Sequence, residues 1–259
     1  MSDPTVTYAI LCAISLLAGA INSVAGGGTL LTFPALLHVL GGNGVLANGT
    51  STVAVVPGSL AGAWGYRSEL ADKRGVLMRL LWPSLIGGAV GALLVTRFPE
   101  RIFNSLVPWL ILTATILFLL QKPLQMWVGA HQLDKPPGSR TVGFLILFQF
   151  VVAIYGGYFG AGMGIVMLAT LGFMAVGDIH HMNGVKSVLA VVINGMAVVV
   201  FVIEGQVRWN YALPMAAATI TGGYLGARGA RRLPAAYVRW MVIAIGFGLS
   251  AYYFGQQMR

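Results

Sequence analysis

Eight apolar stretches, each close to twenty residues long, dominate the chain: near residues 5 to 25, 47 to 66, 78 to 97, 101 to 121, 141 to 161, 185 to 204, 211 to 228 and 236 to 254. A helix needs roughly 20 apolar residues to cross the ~30 Å hydrocarbon core of a bilayer, so each stretch is long enough to span one. Charged residues make up 9% of the chain and hydrophobic ones 57%, which leaves too little polar surface to cover a water-soluble fold of 259 residues. In lipid every backbone polar group must be satisfied within the protein, and segments of this length do so as helices. The composition therefore points to an all-α integral membrane protein.

The net charge of +9 invites a nucleic-acid reading. The basic residues, however, lie in the loops between apolar stretches and form no stripe on a domain, so they report membrane orientation and no nucleic-acid partner is expected. The opening residues Met1-Ser2-Asp3-Pro4 lack a basic n-region, so the first apolar stretch is expected to stay as a span. Cys12 is the only cysteine, which excludes an internal disulfide and any multi-cysteine metal site. No HExxH pattern completes a site around Asp178-Ile179-His180-His181, so neither a metal nor a cofactor is expected.

The chain repeats itself at an interval of about 135 residues. Ala25-Gly26-Gly27-Gly28 returns as Ala161-Gly162-Met163-Gly164, Asn48-Gly49-Thr50-Ser51-Thr52 as Asn183-Gly184-Val185-Lys186-Ser187, and Arg97-Phe98-Pro99 as Arg232-Leu233-Pro234. Two shorter apolar stretches, 26 to 41 and 163 to 177, follow the glycine clusters at corresponding places. Each reaches only about 23 Å as a helix, so each is a short crossing or a re-entrant segment.

Lysine and arginine placement separates these alternatives. With ten crossings, 12 basic residues fall on one side and 4 on the other, the four being Arg97, Arg101, Arg208 and Arg259. With eight spans and two re-entrant segments, the loop of Arg228 to Arg239 changes sides and the bias nearly vanishes. Ten crossings, with both termini outside, are preferred. Five crossings per repeat is an odd number, so the second repeat enters the membrane upside down relative to the first. The expected organisation is a first repeat at 1–121, a cytoplasmic linker at 122–140 whose Lys122-Pro123 ends the preceding helix, and a second repeat at 141–259.

The glycine clusters are candidate ligand contacts. A helix starting at Thr29 or Ile165 would aim unpaired N–H groups and a partial positive charge into the membrane interior, an arrangement suited to an anion. The alternative is close helix packing, which is the better reading for Gly87, Gly88, Gly91, Gly222 and Gly223, spaced along one helix face. Asn48, Ser51 and Thr52, with Asn183, Lys186 and Ser187, open two spans. One copy is explained by capping, while two copies after two glycine clusters read as facing half-sites. Lys186 either faces a cavity or snorkels to the interface. Asp178, His180, His181 and Glu204 are the only candidates for a proton relay, and loop positions are the better reading for all four. No nucleophile, base and carboxylate combine into a catalytic constellation, so no enzyme is expected.

The segment Gly19-Ala20-Ile21-Asn22-Ser23-Val24-Ala25-Gly26-Gly27-Gly28-Thr29, followed by Pro34 and by Ala47-Asn48-Gly49-Thr50-Ser51-Thr52-Val53-Ala54, resembles the sulfite exporter TauE/SafE family of membrane permeases. Gly156-Gly157-Tyr158-Phe159-Gly160-Ala161-Gly162-Met163-Gly164 and Met182-Asn183-Gly184-Val185-Lys186-Ser187 extend the resemblance over nearly the whole chain. The resemblance implies a multi-pass permease of the prokaryotic inner membrane exporting sulfite or a small organosulfonate. It places Asn22, Asn48, Ser51, Asn183 and Lys186 near the substrate.

The full expected substrate set is Asn22, Gly26, Gly27, Gly28, Thr29, Asn48, Ser51, Thr52, Gly162, Gly164, Asn183, Lys186 and Ser187. The expected partners are a small anion and the lipid bilayer, with a homo-oligomer left open. Uptake of a related anion and a non-transporting membrane subunit stand as alternatives.

Overall fold

The computed structural model describes residues 4–24, 27–65, 67, 70, 73–130, 138–174, 176–177, 179–229 and 235–258. Ten helices and no strands occur among them. They are α1 (Pro4–Val24), α2 (Thr29–Val39), α3 (Gly44–Gly65), α4 (Arg74–Arg97), α5 (Glu100–Ala130), α6 (Ser139–Tyr158), α7 (Met163–Phe173), α8 (Ile179–Ile203), α9 (Trp209–Gly229) and α10 (Ala235–Gln257). Five, namely α1, α4, α5, α6 and α8, are both long and apolar enough to cross a membrane. Three more, α3, α9 and α10, have 22, 21 and 23 residues and so match a bilayer in length.

Among the described residues six prolines lie inside helices and one opens a helix. Pro4 opens α1, where its missing N–H costs nothing. Glu100 occupies the first turn of α5 directly after Pro99 and favours the positive end of the helix dipole. Lys122-Pro123 does not end α5, contrary to the sequence expectation: the helix continues to Ala130, 31 residues in all. Pro123 gives up a single intrahelical bond, and such breaks are tolerated in membrane helices where neighbours re-satisfy the freed group.

Polar contacts fix which helix ends share a face. Asn210 donates to the Tyr8 hydroxyl at 3.5 Å, the Gly44 amide donates to Asn104 Oδ1 at 3.2 Å, and Arg97 pairs with Glu204 at 2.7 Å. The Gln257 amide donates to the Asn104 carbonyl at 3.1 Å, and Asn104 Nδ2 donates to the Gly42 carbonyl. One face, here the near face, thus gathers the starts of α1, α3, α5 and α9 with the ends of α2, α4, α8 and α10. The end of α6 lies toward it too, because Asn48 Nδ2, in the second turn of α3, donates to the Tyr158 carbonyl at 2.9 Å. Gly177, after α7, lies against His181 at the opposite end of α8.

The helices therefore alternate in direction, as the ten-crossing count requires, and Arg97, Arg101 and Arg208 sit together at the near face. α2 and α7 have 11 residues each, about 16 Å, so neither crosses by itself. Each starts inside the bundle and returns to a face. The second starts at Met163, two residues before the expected Ile165, because Gly162 takes the left-handed conformation (φ 79°) and ends the loop there.

α1 packs along α9 and α4 along α6; α3 lies on α8 and α9, α4 on α8, and α5 on α10. Exchanging each helix for the one five further on maps these pairs onto one another. Lipid gives helices no hydrophobic drive to associate, so close approach must supply the attraction. A Cβ at Gly91 would press on Ile154, Gly157 and Tyr158 backbone, and one at Gly222 on Leu16 backbone. Gly87, Gly88, Gly91 and Gly222 are thus packing positions. Phe144, Leu147 and Val151, on one side of α6, face outward, while Leu145, Gln149 and Val152 are buried. That is the pattern of a helix with lipid on one side and protein on the other.

Candidate functional site

The two glycine loops converge on one turn of α5. A Cβ at Gly27 would strike the Phe118 ring, and one at Gly162 would lie 3.2 Å from Leu117 and 3.5 Å from the Ala114 Cα. Ala114 to Phe118 lie about midway along α5. α10 crosses the same turn, where a Cβ on Gly246 would stand 3.0 Å from the Thr115 methyl. Glycine is needed at Gly27 twice over, for its φ of 134° and for the absence of a side chain.

Asn22 holds the first loop. Its Oδ1 accepts from the Gly27 amide at 3.1 Å and its Nδ2 donates to Ser59 Oγ at 3.1 Å, so α1, the loop and α3 are tied together. In α2 the Leu30 amide donates to the Gly27 carbonyl, and the Leu31 and Thr32 amides to the Gly28 carbonyl. The Gly28 and Thr29 amides precede this ladder and are the donors a ligand would meet. In the second loop the Tyr155 hydroxyl donates to the Ala161 carbonyl at 2.6 Å, and the Met163 and Ile165 amides donate to Gly160 and Gly162 carbonyls. The Gly162 and Gly164 amides, the backbone donors expected there, take no part in these bonds. Gly26 lies outside the described residues.

The polar motifs are placed differently from the glycines. Ser51 Oγ and Thr32 Oγ1 lie 2.6 Å apart, both buried, joining α3 to the first turn of α2. The Thr52 hydroxyl donates back to the Asn48 carbonyl and the Ser187 hydroxyl back to the Asn183 carbonyl, both at 2.8 Å, so each spends its proton within its own helix. Asn48 is 1% exposed; its Nδ2 holds Tyr158 and its Oδ1 has no partner. On α8, the half-buried Lys186 donates from Nζ to Asn183 Oδ1 at 2.7 Å, and its methylene stem lies against Gly164, 3.2 Å from where a Cβ would be.

These motifs are not brought into one small pocket with each other. Gly49 lies against Phe201, whose ring would stand 3.1 Å from a Cβ there, and Phe201 is fifteen residues along α8 from Lys186. At the rise of an α-helix that is about 22 Å, and about 27 Å for Asn183. Asn48 and Asn183 each sit in the second turn of a helix, but α3 and α8 start at opposite faces. The arrangement is a central pair of glycine loops with a hydroxyl pair, Ser51 and Thr32, toward the near face and the Lys186 ammonium toward the far one.

Thr32, Phe118 and Tyr155 take part here without having been singled out in the sequence. Only Thr32 carried a signal, a hydroxyl one turn into the short helix. Of the relay candidates, Glu204 is engaged by Arg97 at the surface, while Asp178 and the His180 side chain lie outside the described residues. Among the described residues no group of three or more His, Cys, Asp or Glu could hold a metal.

The sequence matches the family described as sulfite exporter TauE/SafE over residues 11–253. A "probable membrane transporter protein" of Haemophilus influenzae is 30% identical over 248 residues, covering 94% of this chain and 92% of that one. The "probable membrane transporter protein ORF9" of Sinorhizobium sp is 28% identical, with coverage of 93% and 90%. The "probable membrane transporter protein YfcA" of Escherichia coli K12 is 25% identical, with coverage of 93% and 87%.

Proposed function

Since the chain belongs to the sulfite exporter TauE/SafE family and is a multi-pass membrane transporter, we propose that it exports a small anion, sulfite or a small organosulfonate, across a prokaryotic inner membrane by alternating access. The observation that carries this reading is the convergence of the two glycine loops on the Ala114–Phe118 turn of α5, with the Lys186 stem against Gly164. Amides at helix starts and a nearby ammonium favour negative charge in a site shielded from water. Gly28, Thr29, Gly162 and Gly164 offer the backbone donors and Lys186 the charge. Asn22 orients the first loop and Ser51 with Thr32 bounds the site toward the near face.

The opposed directions of α1 and α6, together with the paired helix contacts, support two inverted repeats of five helices. The far face is then the cytoplasmic one, since it takes the excess of lysine and arginine. Lys186 lies toward that face, where a cytoplasmic anion would arrive. Transport follows from rocking of one helix bundle against the other around the glycine-loop site.

The test is flux of sulfite and of a short alkylsulfonate from proteoliposomes holding the purified protein. Loss of one charge-assisted contact amounts to about 1.5–3 kcal/mol, so Lys186→Ala should weaken apparent affinity by roughly tenfold or more. Unchanged affinity and rate would remove Lys186 from the site. No flux of either anion with the wild-type chain would overturn the substrate class.

A further inference from the structure

Two hollows meet beside α2. A cavity of about 780 Å³ opens at the near face between the end of α2, the start of α5 and the end of α10; Arg101, Ser105 and Gln256 help to line it, and no carboxylate of the described residues does. An apolar groove of about 560 Å³ runs between α1, α2 and α10, lined by residues that include Ile10, Ile14, Leu31, Ala35, Ile245 and Leu249. His38, Tyr252 and Tyr253 border both, so the two adjoin.

The dimensions fit one leaflet. Along α1 the groove extends from Thr7 to Leu17, ten residues and about 15 Å of helix, half of a ~30 Å hydrocarbon core. The hollow also reflects an asymmetry between the halves: α7 packs closely on α5, whereas α2, at the corresponding place, barely meets α10. Arg101, which lines the cavity, makes no ion pair among the described residues. Tyr252 and Tyr253 stand where tyrosine is favoured, between apolar and polar surroundings.

We propose that cavity and groove together bind one anionic phospholipid of the near-face leaflet, its phosphate at Arg101 and an acyl chain lying between α1, α2 and α10. The occupant keeps α2 apart from α10. This site is separate from the glycine-loop site and does not depend on which anion the protein carries.

Native mass spectrometry of the delipidated full chain, titrated with phosphatidylglycerol and with phosphatidylcholine of the same acyl chains, tests it. One arginine near the headgroups contributes about 1 kcal/mol, so the wild type should retain phosphatidylglycerol about fivefold better. Arg101→Gln, at an exposed position, should abolish the preference. Ile10→Trp, also exposed but in the groove, should reduce occupancy by both lipids. Glycerol phosphate, which has the headgroup and no chain, should not compete. An unchanged preference in Arg101→Gln, unchanged occupancy in Ile10→Trp, or effective competition by glycerol phosphate would each overturn the proposal, the last in favour of an aqueous anion pocket.

Discussion

Replacing Gly91 by alanine tests whether the α4–α6 seam holds the fold through backbone proximity. The added Cβ would sit 2.7 Å from the Tyr158 amide nitrogen and 3.0 Å from the Gly157 carbonyl carbon, with the Ile154 carbonyl oxygen also against it. Non-bonded carbon pairs rest at about 3.5–4.0 Å, so α4 and α6 must part by roughly 0.5–1 Å. All three obstacles are main-chain atoms, so no side-chain rotation relieves the clash. Overpacking costs about 1–3 kcal/mol, and a seam of this kind belongs at the upper end. Alanine returns about 1 kcal/mol of helix propensity, which leaves a net destabilisation of about 2 kcal/mol. Gly248, in α10, has no atom within 4 Å of its Cβ position, so Gly248→Ala gains the propensity without the clash. Thermal unfolding in detergent micelles, followed by the fluorescence of the chain's six tryptophans, should place Gly91→Ala about 4–8 °C below wild type. Gly248→Ala should lie at or above wild type. If Gly91→Ala melts with or above Gly248→Ala, the seam is not held by backbone contact and the reasoning fails.

Gly27→Ala combines a φ of 134° with a Cβ in the Phe118 ring, so it should abolish anion flux; Phe118→Ala introduced alongside should not restore it, because the backbone strain of about 1–3 kcal/mol remains. Full flux from the double variant would show that only the collision matters. Arg97→Gln breaks the ion pair with Glu204, but the arginine side chain is 70% exposed, so the melting temperature should change by no more than about 1 kcal/mol implies. A loss of many degrees would mean the pair does more than join two helix ends.

Most of the helical framework was legible because apolar length is a property of the chain itself. The eight long stretches recur as α1, α3, α4, α5, α6, α8, α9 and α10, most ends shifting by a few residues but α5 running on to Ala130 and α8 starting early at Ile179, and α2 and α7 fall within the two short ones. The exceptions are local. Lys122-Pro123 reads as a stop, yet α5 runs through it, since a proline's lost bond is decided by what surrounds the helix. Met163 opens α7 because Gly162 takes a left-handed φ, as Gly160 also does while Gly164 does not, and no spacing rule tells these neighbouring glycines apart.

The candidate site was legible only in part. The glycine clusters announced themselves by recurring, and both come against α5. The Asn and hydroxyl motifs recurred as clearly, yet they stand over 20 Å apart along α8, because equivalent positions in two oppositely directed helices lie at opposite depths.

Membrane residence, a helical build and the correspondence of the two halves could all be read from the chain alone. Each follows from composition, length or repetition, which are additive along the chain. It took the packing of the helices to bring the glycine loops to one turn of α5, Ser51 to Thr32 and Lys186 to Gly164, and to hold α2 away from α10. Those relations join residues tens of positions apart, and how closely two helices approach depends on the side chains both present at the crossing.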